Sequence, residues 1–194
     1  MCGQFAVLGN LKAIKDYYEF LKKGDFIIDE NEFYNPDLFS DVALPNPRVL
    51  PMSFAPIITC NHKKIYLQKA RWGLVPFWAK DESFAVKMIN ARVETLSEKP
   101  SFKYAYKDRR CLIPFSGFYE RDSKKNLHYF PNHNEELQSF AGLYEVWGNE
   151  RLITFTIITS PADEKVVAIP PRMPVVMGEA TALQWLNNSQ ISSS

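Results

Sequence analysis

The sequence predicts an α+β fold: a mostly antiparallel sheet able to curl toward a barrel, with a few peripheral helices. Three observations lead there. The second half of the chain carries five short β-type runs, and turn-forming residues rather than helices separate them. Two earlier runs, residues 57–60 and 64–69, flank an Asn61-His62-Lys63 turn and read as a hairpin. Hydrophobic residues make up 46% and aromatics 14% of the 194 residues, enough to fill a core and to exclude global disorder.

In chain order, Leu11, Ile14, Tyr17, Tyr18 and Leu21 recur at three-to-four spacing and predict a helix over 11–23, which Gly24 is placed to end. The proline-rich stretch 35–51 reads as an irregular loop. After the hairpin, residues 97–107 read as a short amphipathic helix with Pro100 in its first turn, where proline is tolerated. The strand-rich half follows over 110–115, 117–121, 127–130, 138–147 and 151–159, with Ser123-Lys124-Lys125 and Gly148-Asn149-Glu150 as turns. Residues 175–177 read as another strand, 180–187 as a last helix and 189–194 as a frayed serine-rich tail. No repeat and no Gly/Ser linker divides the chain, so residues 1–188 read as one domain.

Charge excludes some functions. With 23 basic and 22 acidic residues the net charge is +1, so nucleic-acid binding would need a local patch. No apolar run approaches the roughly 20 residues that span a bilayer, and no membrane partner is expected. The first ten residues lack a signal-peptide pattern, so the expected place is the cytoplasm. Cys2, Cys60 and Cys111 form no close pair, and with His62, His128 and His133 they make no zinc-site spacing. Reduced thiols, no metal, no organic cofactor and a monomer are expected.

The chain begins Met1-Cys2-Gly3. Cysteine is small enough for the initiator methionine to be removed, which would leave Cys2 as an exposed N-terminus carrying an α-amine and a β-thiol. Their unperturbed pKa values are about 8 and about 8.5, so both are partly nucleophilic near neutrality. An aldehyde can form an imine with the amine, and the thiol can close a five-membered thiazolidine. That closure is intramolecular and strongly favoured. The alternative is an ordinary small residue at a disordered end.

Several segments together resemble the SRAP family, the SOS-response-associated peptidase-like proteins that shield abasic DNA. They are Met1-Cys2-Gly3-Gln4-Phe5-Ala6, Arg71-Trp72-Gly73-Leu74-Val75-Pro76-Phe77-Trp78-Ala79, Ile89-Asn90-Ala91-Arg92-Val93-Glu94-Thr95, Arg110-Cys111-Leu112-Ile113-Pro114 with Gly117-Phe118-Tyr119-Glu120, the strands around 140–145 and 155–159, and Arg172-Met173-Pro174. Each is weak alone, but they stand in register from residue 1 to about 177. The resemblance implies a barrel-like β core. It also implies a thiazolidine crosslink between Cys2 and the ring-opened sugar of an abasic site in single-stranded DNA, formed in the DNA damage response, with association to the nucleoid on damage.

On that resemblance Cys2, Asn90 and Glu120 are the candidate catalytic residues. Glu120 would be the general acid for sugar opening and loss of water, with burial beside Phe118 and Tyr119 keeping a proton on it. Its alternative is a solvent-facing strand glutamate. Asn90 could hold the N-terminus or the sugar hydroxyls, or simply cap a turn. Arg92 could grip a phosphate or pair with Glu94, and Arg172 is a further phosphate candidate. Arg71 and Trp72, with Phe77 and Trp78, could make a stacking platform for single-stranded bases or belong to the core. Lys99, Lys103, Lys107, Arg109 and Arg110 could line a backbone groove or form a solvated face. Cys60 and Cys111 read as packing thiols.

Two departures stand out. The family's histidine two residues before the last arginine is Pro170 here, which cannot carry a proton, and Gln4 replaces the usual arginine. Three readings follow: an abasic-site crosslinker that releases its adduct slowly, a thiol autopeptidase that exposes Cys2, and a non-catalytic single-strand-binding module.

Overall fold

The computed structural model describes residues 2–29, 35–122, 124–133, 136–162 and 172–187. Its core is a ring of strands. β3 (Phe54–Asn61) turns into β4 (Lys64–Trp72), and β3 also pairs with β6 (Arg110–Phe115). β6 pairs with β9 (Gln138–Trp147), β9 with β10 (Leu152–Pro161), and β10 returns to β4. Every junction is antiparallel except the last, a short parallel contact that sets Thr154 opposite Arg71 and Phe155 opposite Trp72. The expected α+β class with a barrel-like core is therefore what the chain builds.

The strands form because apolar side chains repeat where the pleat turns inward. In β4, Ile65, Leu67, Ala70 and Trp72 are buried and Tyr66 and Gln68 are not. Gly142 in β9 is required by crowding: an added Cβ would strike Ile113 and lie 2.9 Å from the Thr156 carbonyl oxygen. β11 (Arg172–Pro174) pairs antiparallel with the end of β10, and β12 (Val176–Met177) pairs antiparallel with β9.

A second, four-stranded sheet runs β2-β1-β7-β8, from β1 (Gln4–Val7), β2 (Asn46–Val49), β7 (Gly117–Arg121) and β8 (Leu127–Pro131). Ser116 links it to β6, its amide donating to the Ala6 carbonyl at 2.8 Å. Phe5 anchors β1 to the barrel, meeting Trp72 edge-on at 5.1 Å and Phe140 at 6.0 Å.

Helices lie at the periphery: α1 (Leu11–Tyr17), α2 (Lys103–Asp108) and α3 (Glu179–Leu186). Asn10 caps α1, its side chain accepting from the Ala13 amide at 2.9 Å. The helix expected over 11–23 is α-helical only to Tyr17; a 3₁₀ segment, Tyr18–Gly24, completes it before Asp25 turns left-handed at φ 58°. Of the helix expected over 97–107 only Lys103–Asp108 is α-helical. The loop expected over 35–51 contains a 3₁₀ turn, Pro36–Phe39, and strand β2. β1 and the three-residue β5 (Asn90–Arg92), which runs parallel to β10, are additional strands. The tail 189–194 lies outside the described residues. No helix among those described is long and apolar enough to cross a membrane.

Candidate active site

Cys2 and Asn90 meet at the seam of the two sheets, and Glu120 lies on the strand that pairs with β1. Cys2 immediately precedes β1 and Glu120 lies on β7, two strands of the small sheet. Asn90 opens β5, on the barrel side. Its Nδ2 donates to the Cys2 carbonyl at 2.8 Å and joins the two sheets at this point. The Asn90 Oδ1 is buried without a hydrogen-bond partner among the described residues. The strand bearing Asn90 is held from behind: the Ile89 carbonyl accepts from the Trp72 indole at 2.8 Å and from the Ile157 amide at 3.1 Å.

Alternation along β7 puts Phe118 and Glu120 on the buried face, with Glu120 6% exposed. That placement removes the solvent-facing alternative for this glutamate. Cys2 is also fully buried, which corrects the expectation of an exposed second residue. Its chain is pinned by Asn90 and β1, and its Sγ donates to the Gln4 carbonyl at 3.6 Å. Burial pushes the thiol up to about 12, and the field of Glu120 adds to the rise. The thiol is thus neutral at physiological pH, and Glu120 lies within electrostatic reach of it.

Around the seam the candidate DNA contacts divide. Arg92 is exposed and stands opposite Thr159 at the end of β10. Arg172 reaches the same residue, donating from Nε to Thr159 Oγ1 at 3.2 Å and from Nη2 to its carbonyl at 2.8 Å. Glu94 pairs with Arg172, not Arg92, through two bonds of 2.8 and 2.7 Å. Those bonds hold the Glu94 carboxyl at about 2. Two guanidinium groups therefore converge on one strand end, one of them already gripping a carboxylate.

Trp72 has no exposed face and cannot stack on a base. Tertiary burial decides against the platform reading there, and the exposed aromatics of the segment are Phe77 and Trp78. Arg71 pairs with Glu82 and its Nε is buried, which leaves it poorly placed for a phosphate. The expected groove of cations is also reduced. Arg110 is buried between the Tyr106 and Trp185 rings, and Arg109 pairs with the buried Glu145 at 3.0 Å. Cys111 is buried and Cys60 half-buried, as packing thiols would be. Pro170 lies outside the described residues.

Two neighbours of the site had no signal in the sequence. Arg48 on β2 donates from Nε to Gln4 Oε1 at 2.8 Å, which brings a guanidinium beside the position where the family arginine is missing. His128 on β8 lies directly across from Glu120. Both arrive by strand pairing, which no local pattern announced.

Fold and site together define a class: a protein whose second residue, a cysteine, is seated between a buried carboxyl group and an asparagine amide on the flank of a closed strand ring. The family model described as SOS response associated peptidase (SRAP) matches residues 1–194, and the chain belongs to that family. It is 37% identical to the abasic site processing protein YoqW of Bacillus subtilis, over 96% of this chain and 80% of that one. It is 35% identical to the abasic site processing protein YoaM of the same organism, over 99% and 82%. A crystal structure of a protein from Bacteroides thetaiotaomicron superposes with a TM-score of 0.76 at 26% identity, covering 99% of this chain and 83% of that one.

Proposed function

We propose that this chain captures abasic sites in single-stranded DNA as a covalent adduct on Cys2 and so shields the lesion during the DNA damage response. The observation that carries the reading is the seating of residue 2: its carbonyl is held by Asn90 at 2.8 Å while its thiol feels the buried Glu120. The relatives' printed names, abasic site processing proteins, support it.

Removal of Met1 frees the α-amine. The amine attacks the ring-opened sugar aldehyde to give a carbinolamine. Glu120 donates a proton to the departing hydroxyl, which leaves as water and yields the protonated imine. The sulfur then bonds to the carbon of the protonated imine, its proton returns to Glu120, and the thiazolidine closes. Amine attack comes first and sulfur second, because the ring can close only on the imine carbon that the amine has made. The unpartnered Asn90 Oδ1 is an acceptor for an N–H of the freed amine or a sugar hydroxyl. Arg92, Arg172 and Arg48 supply phosphate contacts, Arg172 by exchanging Glu94 for a phosphate. Phe77 and Trp78 take the stacking role expected of Trp72.

The test is a denaturing gel of Met1-free protein incubated with single-stranded DNA holding one abasic site. A denaturant-resistant band should form with the wild type, should be absent with Cys2→Ala and should form far more slowly with Glu120→Gln. No band with the wild type, or one that survives Cys2→Ala, contradicts the reading. Intact mass decides how Met1 leaves: its retention in Glu120→Gln alone means that the site removes it.

A further inference from the structure

Glu120 is 6% exposed, yet the proposed chemistry moves a net proton through its surroundings. An N-terminal amine with its unperturbed pKa of about 8 begins mostly as the ammonium. The neutral thiazolidine does not keep that proton, so each adduct must export one proton from a buried pocket and each reversal must import one. A buried carboxyl group can receive the proton but cannot readily hand it to bulk water.

Strand register places one titratable, solvent-facing group where it can. Glu120 and His128 are direct partners across β7 and β8, so their side chains share a face of the sheet. The next pair on that face, Phe118 and Phe130, is stacked at 5.3 Å and closes the apolar side. His128 remains 51% exposed. Its Nε2 is fixed by the Asp122 carboxylate at 2.9 Å, and Asp122 is fixed in turn by the Lys124 and Asn126 amides at 2.8 and 2.9 Å and by Asn126 Nδ2 at 3.0 Å. Those bonds, the one from His128 first, hold the Asp122 carboxyl at about 2, so it stays anionic. Of the charged groups of β7 and the following turn, Asp122 bonds the ring and Glu120 is its cross-strand partner; Arg121, opposite Leu127, alternates to the other face. This carboxylate–imidazole unit is half in water and stands at the strand position paired with the buried acid, a place suited to a proton exchanger.

We propose that His128, held by Asp122, is a positioning residue of the Cys2 site that passes protons between Glu120 and water during adduct formation and reversal. The inference rests on the crosslinking function proposed above. In formation, the proton lost by the α-ammonium is taken up at Glu120, serves in the loss of water, returns there when the ring closes, and then leaves by way of His128 to solvent. In reversal it travels back. No bond other than N–H and O–H bonds is made or broken in the relay.

The experiment follows the rate of adduct formation by Met1-free protein on single-stranded DNA holding one abasic site, with the final yield read separately. His128→Ala should reach the wild-type yield about ten- to a hundredfold more slowly, short of the loss expected for a group that meets the reacting atoms. His128→Gln, which keeps a donor for Asp122 without a titratable nitrogen, should be slowed as much. Added imidazole should restore the rate of His128→Ala and leave Glu120→Gln slow, a response that a purely structural role for the ring would not give. A rate for both variants within twofold of wild type, or no restoration by imidazole, overturns the proposal. Wild-type protein that forms no adduct instead overturns the crosslinking function itself, so the two failures are distinct.

Discussion

The barrel and the small sheet beside it are built from different material. The barrel strands are long, several carry continuous buried runs, and they bury side chains such as Trp72, Phe140 and Phe155. The four-stranded sheet is short and partly exposed, and it carries the polar groups that face the chemistry: Cys2 ahead of β1, Glu120 on β7 and His128 on β8. Asn90 bridges the two. One region specifies the fold and the other borrows its rigidity to hold residue 2. Substitutions in the barrel should therefore cost stability, and those in the small sheet should cost reactivity at nearly constant stability.

The largest effect expected is in the barrel. Trp72→Ala removes a fully buried indole, its stack on Phe155 and its hydrogen bond to Ile89. It should destabilise the chain by about 3–5 kcal/mol, read from the urea midpoint. A loss below about 1 kcal/mol would break the comparison. Glu120→Gln tests the other half. Adduct formation should slow by about 10²-fold or more, with a change in stability within about 1 kcal/mol. A large loss of stability there would mean that the carboxyl group is structural.

How much of this could be read from the sequence follows the same division. Residues 110–115, 117–121 and 138–147 were readable as strands to the residue, because β-branched and aromatic side chains lie between clear turns. β1 is four residues long, β2 carries Pro47 and β5 has three residues held by pairing with β10, so none has a period to detect. The site is non-local: Asn90 and Cys2 are 88 residues apart, and only the resemblance of whole motifs grouped them with Glu120. Trp72 stays open between core and platform in the sequence because an aromatic beside an arginine looks the same in both. The burial of Cys2 was missed because nothing in Met1-Cys2-Gly3 tells that Asn90 reaches back to hold it.

Smaller effects sharpen the seam. Asn90→Ala removes the hydrogen bond to the Cys2 carbonyl, a contribution of about 1 kcal/mol. Adduct formation should slow by about tenfold as the N-terminus loosens, with proteolysis of the first residues rising in parallel. The smallest effect concerns Glu94. Its folded carboxyl titrates at about 2 against an ordinary 4.5, held down first by the hydrogen bonds from Arg172. The stabilisation is complete above pH 4.5 and is lost as pH falls through the range to about 2. The pair is partly solvated, so the contribution should stay below about 1 kcal/mol. Glu94→Gln should flatten the acid limb of a stability–pH curve in that window and tighten single-stranded DNA binding by freeing Arg172.

Tandem mass spectrometry of the N-terminal peptide, after incubation of Met1-free protein with abasic single-stranded DNA and nuclease trimming, locates the bond itself. The account predicts a sugar-derived mass on residue 2 with its amine blocked to acylation and its thiol blocked to alkylation. Adduct mass on a lysine, or on a residue 2 whose thiol still alkylates, would contradict it.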